Sequence, residues 1–256
     1  MLAIISPAKR LKFSPKPFTD KFTLPENLDY SEKIINELRK LSPKQLQKFM
    51  NINTKLAEEN FQRFIEWRRE FTLENARQAI LSFSGDVFLG MDASSFSSRQ
   101  LDFAQNHLRI LSGLYGALRP LDLIMPYRLE MGHLLKIAGN KNLYDYWKSV
   151  IPAQIEKALE SSGNNVLINL ASQEYFKSVR LETMSNIRVI TPDFREFKDG
   201  SYKFVHVLGK KARRLMCKFI IQNEINDPEK LKFFELEGYE YNDPLSAENQ
   251  WVFTRG

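Results

Sequence analysis

Ser6, Lys9, Tyr127, Glu130, Asn169, Ser172, Glu174 and Lys177 carry the side chains that could act on a substrate. Hydroxyls and carboxylates interleaved with lysines suit proton transfer on a nucleotide or nucleic acid whose phosphate the basic groups hold. Glu174 and Lys177, at i and i+3, share one face if their segment is helical, so an acid and a base would meet there. The same spacing also describes an ordinary surface ion pair, and the burial of Glu130 and Glu174 decides between the two. Carboxylates facing cations inside a closed pocket favour chemistry, whereas an open groove wide enough for a duplex favours binding alone.

The densest positive charge lies in "GKKARRLMCKF", residues 209–219. Ala212, Leu215, Met216, Phe219 and Ile220 repeat at the spacing of a buried helical stripe. At ~100° per residue, Lys210, Lys211, Arg214 and Lys218 gather on the opposite, exposed side, with Arg213 on one flank. The amino end of a helix disfavours cations and attracts anions. A helix that starts at Gly209 and crowds cations into its first turns is therefore suited to a bound anion, which its free N–H groups also favour. The plain alternative is a solvated basic face balanced by the acids that follow, Asp227, Glu229, Glu235, Glu237, Glu240, Asp243 and Glu248. A second basic cluster, Lys9, Arg10, Lys12, Lys16 and Lys21, occupies the loop after the first apolar run.

Composition narrows the classes. With 256 residues, 43% of them hydrophobic and 27% charged, the chain reads as globular and as one domain over residues 1–256 with a sizeable core. The net charge of +6 permits a polyanionic partner. Cys217 is the only cysteine, which excludes an internal disulfide framework and a thiolate metal cluster. Arg213 and Arg214, one turn earlier, raise a redox reading of that thiol, but no resolving cysteine exists to complete it. His107, His133 and His206 are scattered and form no H-E-x-x-H pair, so no metal site is expected. Without a G-x-S-x-G elbow, a Walker loop or a G-x-G-x-x-G fingerprint, no cofactor is expected either. The apolar start precedes its basic residues, the reverse of a secretory signal, and no run approaches roughly eighteen apolar residues. The expectation is a cytoplasmic protein with no membrane partner.

Elements must position these residues. "LAIIS" (2–6) reads as a buried strand, and residues 25–70 as mixed-charge helices, one capped by Ser42 with Pro43 at its first position. "TLENARQAI" reads as a helix capped by Thr72, Gly85-Asp86 as a turn, residues 97–108 as a helix, and residues 127–132 as a short strand and turn. "KNLYDYWKSVIPAQIEKALESSG" reads as one long helix kinked at Pro152 and ended by Gly163. "NNVLINLAS" is the strongest strand, residues 187–208 alternate as a hairpin closed by Asp199-Gly200, and the tail adds late strands. The sum is a mixed α/β (α+β) fold, sheet material covered by helices, without the rhythm of doubly wound or barrel folds. In "LRILSGLYGALRPLD", Gly113 and Gly116 bracket Leu114-Tyr115 in what reads as a tight turn. In a helix-hairpin-helix module such a turn offers its N–H groups to a DNA phosphate, although here one extra residue separates the glycines; a structural turn is the alternative.

Together, "ISPAK" (5–9), "FAQNHLRILSGLYGALRPLDLI" (103–124), "PYRLEMG" (126–132), "INLASQEYFKSV" (168–179) and "KKARRLMCKFIIQN" (210–223) resemble the YaaA family of bacterial peroxide-stress proteins, in order and along the whole chain. The resemblance implies a cytosolic protein that helps cells survive hydrogen peroxide and limits damage linked to free iron. It also implies binding of duplex or branched DNA, largely independent of sequence, through a positively charged cleft with a helix-hairpin-helix-like element. It implies a mixed fold particular to the family and no firmly assigned catalytic activity. Lys9, Arg119, Arg128, Lys177, Lys210, Lys211 and Arg214 lie within the matching motifs beside strand ends, glycine turns or helix starts. With Gly113 and Gly116 they are the expected phosphate contacts. The expected partner is DNA in duplex, branched or unpaired form; the alternative is an enzyme handling a phosphate-bearing small molecule or nucleic acid in the same cleft. Direct iron sequestration is the weakest reading, because no 2-His-1-carboxylate set or ferritin-like helix pattern is present.

Overall fold

A strand as apolar as Leu2–Ile5, buried along its whole length, needs hydrogen-bonding neighbours on both edges and cover on both faces. The computed structural model supplies both. It describes residues 1–14, 18–85 and 90–256, so Lys16 and Asp86 of the expected basic loop and turn lie outside the described residues. Among the described residues the main sheet has eight strands: β1 (Leu2–Ile5), β2 (Leu108–Ser112), β3 (Gly116–Leu118), β4 (Val166–Leu170), β5 (Arg188–Lys198), β6 (Ser201–Phe204), β7 (Glu240–Tyr241) and β8 (Gln250–Arg255). Their spatial order is β7-β8-β5-β4-β1-β2-β3, with β6 paired to the far end of β5. β1 runs parallel to β2 and β4, β4 to β5, and β5 to β8, while β3, β6 and β7 are antiparallel additions. The fold is a mixed α/β one, as the sequence predicts.

Six longer helices accompany the sheet: α1 (Leu28–Arg39), α2 (Pro43–Met50), α3 (Thr54–Glu66), α4 (Ser98–His107), α5 (Val150–Ser162) and α6 (His206–Gln222). α4 and α5 pack against β1, and α6 against β4 and β5. α2 and α4 each open on a capping box, Ser42 with Gln45 and Ser97 with Gln100, which satisfies two end amides reciprocally. The β5–β6 turn is closed by Asp199 (φ 52°) and Gly200 (φ 76°), the left-handed pair that a tight two-residue hairpin requires. One continuous cluster of buried apolar side chains runs from Met1 to Phe253. Among the described residues no helix is long and apolar enough to cross a membrane.

Several local expectations give way to tertiary contacts. "TLENARQAI" is not one helix: Arg77–Gln78 pairs as a short strand with Leu123–Ile124, and Ala79–Ser82 is a single helical turn. The Arg77 guanidinium donates to the Ser14 carbonyl (2.8 Å) and the Gln78 amide to Thr19 and Lys21 carbonyls, so this segment serves the neighbouring loop rather than its own helix. The long helix divides into Leu143–Trp147 and α5, with Pro152 in the first turn of α5, where a missing N–H does no harm. Residues 127–132 form no strand. The hairpin ends at Phe204, and α6 begins at His206 instead of Gly209, because the Gly209 amide already bonds the Val205 carbonyl at 2.8 Å.

The "SGLYG" segment is a β-hairpin between β2 and β3, not a helix-hairpin-helix turn. Its residues are buried, its Leu114 and Tyr115 amides bond Ser112 Oγ, and the Gly113 carbonyl accepts from Trp147 Nε1 at 3.0 Å. A Cβ on Gly113 would sit 2.8 Å from the Leu129 carbonyl, so only glycine lets the 127–130 segment pass at that height. Gly113→Ala should therefore destabilise the fold by about 1–3 kcal/mol, measured by urea unfolding. An unchanged midpoint would show that the crossing segment is not fixed there.

Candidate functional site: a charged cavity at the carboxyl ends of the central strands

In open sheets with parallel strands, ligands lie beyond the carboxyl ends of the strands. Here β1 and β4 end side by side, and a cavity of about 760 Å³ opens at that point. This volume suits a small ligand or a single nucleotide unit. Ser6, just after β1, and Ser172, just after β4, close its floor: the Ser172 amide donates to Ser6 Oγ at 2.9 Å, and the two hydroxyls lie 3.2 Å apart.

Two arginines of α6 tie that helix to the same strand ends. Arg214 donates to the Ser6 carbonyl at 2.6 Å, and Arg213 to the Ala171 carbonyl at 3.2 Å. Arg214 is buried, contrary to its expected place on an exposed face. Burial lowers its guanidinium to about 10, so it remains a cation at neutral pH. Burial lowers Arg213 as well. Further along the wall, His206 and Lys210 project from α6, so His206, Lys210 and Arg213 recur at i, i+4 and i+7 on the face that meets the cavity.

The opposite wall is the segment that crosses Gly113. Tyr127 is buried with its hydroxyl 2.7 Å from Ser112 Oγ, the oxygen that also takes the turn amides of β2–β3. Glu130 meets Lys9 Nζ at 2.6 Å and Arg128 at 3.2 Å; its side chain is only 19% exposed against 65% for Lys9. Burial alone would raise the Glu130 carboxyl, yet the hydrogen bond and charge of Lys9, backed by His133 and Arg128, hold it below the ordinary carboxylate range. Burial lowers the His133 imidazole, whose Nδ1 accepts the Glu130 amide at 2.9 Å. Glu174 also lines the cavity and takes the Gly132 amide at 2.9 Å. The lining thus combines Lys9, Arg10, Arg128, Lys210, Arg213 and Arg214 with the carboxylates Glu130 and Glu174. Such a set can hold a phosphate-bearing ligand and present an ionised carboxylate to it.

Of the residues singled out by sequence, the cavity gathers Ser6, Lys9, Tyr127, Arg128, Glu130, Ser172, Glu174, Lys210 and Arg214. It does not gather the others. Arg119 is occupied by Asp122 (2.8 Å) and the Leu24 carbonyl, and Lys177 lies over the Tyr144 ring at 5.0 Å. Lys211 pairs with Glu237 of the acidic tail at 2.5 Å, the balance that the plain reading of the basic helix anticipates. Asn169 braces the end of β4 by accepting the Ala171 amide. Gly113 and Gly116 lie in the buried hairpin described above and do not line the cavity. Cys217 is buried and its thiol is pushed up to about 12 by desolvation, which removes the reactive thiolate a redox role requires.

Sequence reading misses Arg10, Arg213, Phe204 and His206 as cavity residues. The periodicity of His206, Lys210 and Arg213 is present in the chain, but it emerges only when the helix is started at His206.

Because the Glu130 carboxyl is depressed in the folded protein, its ionised form contributes stability above the unfolded pKa of about 4.3, and that contribution is lost as pH falls. Glu130→Gln should therefore be destabilising at pH 7, with the gap from wild type narrowing below pH ~4, read by urea unfolding across that range. A gap independent of pH would exclude an ionised Glu130 held by Lys9.

The profile of the family described as "Peroxide stress protein YaaA" matches residues 1–245. A UPF0246 protein of Colwellia psychrerythraea strain 34H is 49% identical over 255 residues, covering 100% of this chain and 99% of its own length. On that profile and this full-length similarity, the chain belongs to the peroxide stress protein YaaA family.

Proposed function

We propose that the protein serves peroxide defence in the cytoplasm by binding DNA through its phosphates, largely independent of base sequence. The cavity takes one nucleotide unit, and the cations around its mouth hold the phosphates on either side of it. The observation that carries this reading is the convergence of Lys9, Arg10 and Lys210, from two distant parts of the chain, on one cavity of a size that admits a nucleotide. Arg10 and Lys210 are exposed and so are positioned to exchange counterions for phosphate, while Lys9, also exposed, holds Glu130 as well. A gel-shift or anisotropy titration over a salt series tests it. Changing Lys9, Arg10 and Lys210 together to Ala should weaken binding at least tenfold and flatten log K against log salt by roughly 0.7–0.9 for each phosphate no longer neutralised. Lys211→Ala, which removes a partner of Glu237, should stay within twofold of wild type. A triple variant that also stays within twofold at fixed ionic strength would overturn the assignment.

A second reading, an enzyme acting on a nucleotide or nucleic-acid phosphate in the same cavity, is favoured by Glu130, a largely buried carboxylate facing Lys9 and Arg128. Pure backbone binding has no use for a carboxylate there. With a thymidine p-nitrophenyl phosphodiester as probe, this reading expects turnover that falls on the order of 100-fold in Glu130→Gln. Absence of turnover by the wild-type protein would end it.

A further inference from the structure

The wall of the cavity next to α6 continues outward as the β5–β6 hairpin, and one face of that hairpin is aromatic. Tyr202 pairs with Phe197 and Phe204 with Arg195, so these side chains stand on a common face. The Phe197 and Tyr202 rings are 5.3 Å apart at 67°, and Phe204 lies 6.4 Å from the His206 ring. Phe204 and His206 themselves line the cavity. The ring of Phe204 rests directly on α6, where a Cβ on Gly209 would lie 2.5 Å from it, so the inner end of the row is fixed in place. Both ends of the row remain accessible: Phe197 is 53% and Phe204 47% exposed.

Single exposed rings are common on this chain, but adjacent ones form a candidate contact surface, and the charge around this row bears on its occupant. Arg195 stands on the same face, paired with Asp193 at 2.8 Å, Lys210 and Arg213 lie one and two turns along α6, and the reverse face of the hairpin carries Lys198, Glu196 and Lys203, the last paired with Asp199 at 3.0 Å. Rings interleaved with cations are the pattern by which proteins hold unpaired nucleic acid, each base stacking on a ring while its phosphate meets a positive side chain. A duplex keeps its bases stacked on one another and cannot use such a surface.

We infer that the Phe197–Tyr202–Phe204–His206 row is a stacking platform for the unpaired bases of a nucleic-acid strand that leads into the cavity. The inference rests on the phosphate-binding reading above and adds to it a preference for unpaired strands. Fluorescence anisotropy at one ionic strength tests it with three probes: a short oligothymidylate, an abasic strand of the same length and charge, and a duplex of that length. The oligothymidylate should bind about tenfold or more tightly than the abasic strand. A Phe197→Leu, Tyr202→Leu double variant, which keeps apolar bulk and whose near-native fold is checked by circular dichroism, should erase that margin and leave abasic affinity unchanged. Lys210→Ala should weaken both single-stranded probes together.

Equal binding of the base-bearing and abasic strands, both still dependent on Lys210, would overturn the platform while leaving the phosphate reading intact. Failure of every probe to bind would overturn both. Sedimentation showing a wild-type dimer that the double variant abolishes, with the single-strand preference unaltered, would make the face a contact between two copies and overturn the platform.

Discussion

The site depends on one buried cation. Arg214 carries a guanidinium through the core side of α6 to the Ser6 carbonyl, at the point where the central strand ends. Taking such a charge out of water costs several kcal/mol unless its hydrogen bonds are replaced, and a hydrophobic side chain would stabilise a plain helix–sheet contact as well or better. Its neighbour Arg213 makes the same move to Ala171 after β4. The two arginines fix α6 across the ends of both parallel strands, and that fixed helix brings Lys210 and His206 to the cavity. They also place positive potential at the floor of a pocket that already carries Lys9 and Arg10. Positive charge built into a core in this way is suited to an anion arriving from outside.

On the opposite wall, Glu130 is the counterweight. It stays ionised because Lys9 and Arg128 hold it, while the segment that bears it is pinned by Gly113 beneath and by Tyr127 on Ser112. Ser112 joins the two levels, since its hydroxyl takes the turn amides of β2–β3 and meets Tyr127. The glycine-rich hairpin is thus a foundation of the site and not a contact surface. Cys217, one turn from Arg214 on the same helix, packs its thiol within the core, where burial disfavours the thiolate.

Much of this is legible in the chain, and the exceptions have physical causes. The apolar run of β1, the strand β4, the hairpin closed by Asp199-Gly200 and the capping residue Ser42 all follow from local rules, because each is decided by neighbours in sequence. Ser6, Lys9 and Ser172 can be found because they flank strand or helix ends, and Glu130 and Lys210 because they fall within recognisable motifs. Arg119, Lys177 and Lys211 mislead because a cation's partner is set by tertiary contact: Asp122, the Tyr144 ring and Glu237 are not implied by spacing. Arg214 falls on the wrong side of its helix for a related reason, as a wheel assigns charge to solvent and cannot anticipate a strand-end carbonyl waiting in the core. Phe204 and His206 read as strand residues, although one ends its strand and the other opens α6.

On the reading proposed above, peroxide stress would give the anion a source, since oxidised DNA contains gaps, frayed ends and displaced nucleotides whose phosphates and bases are accessible together. On that proposal, the cavity, the cations at its mouth and the aromatic row are the place for such a strand. The most direct measurement is a crystal structure of the protein with a 5′-phosphorylated thymidine dinucleotide. The predicted result is a phosphate hydrogen-bonded to Lys9, Arg10 or Lys210 with its nucleoside in the cavity beside Glu130. A dinucleotide bound on another face, with the cavity left to solvent, would contradict it.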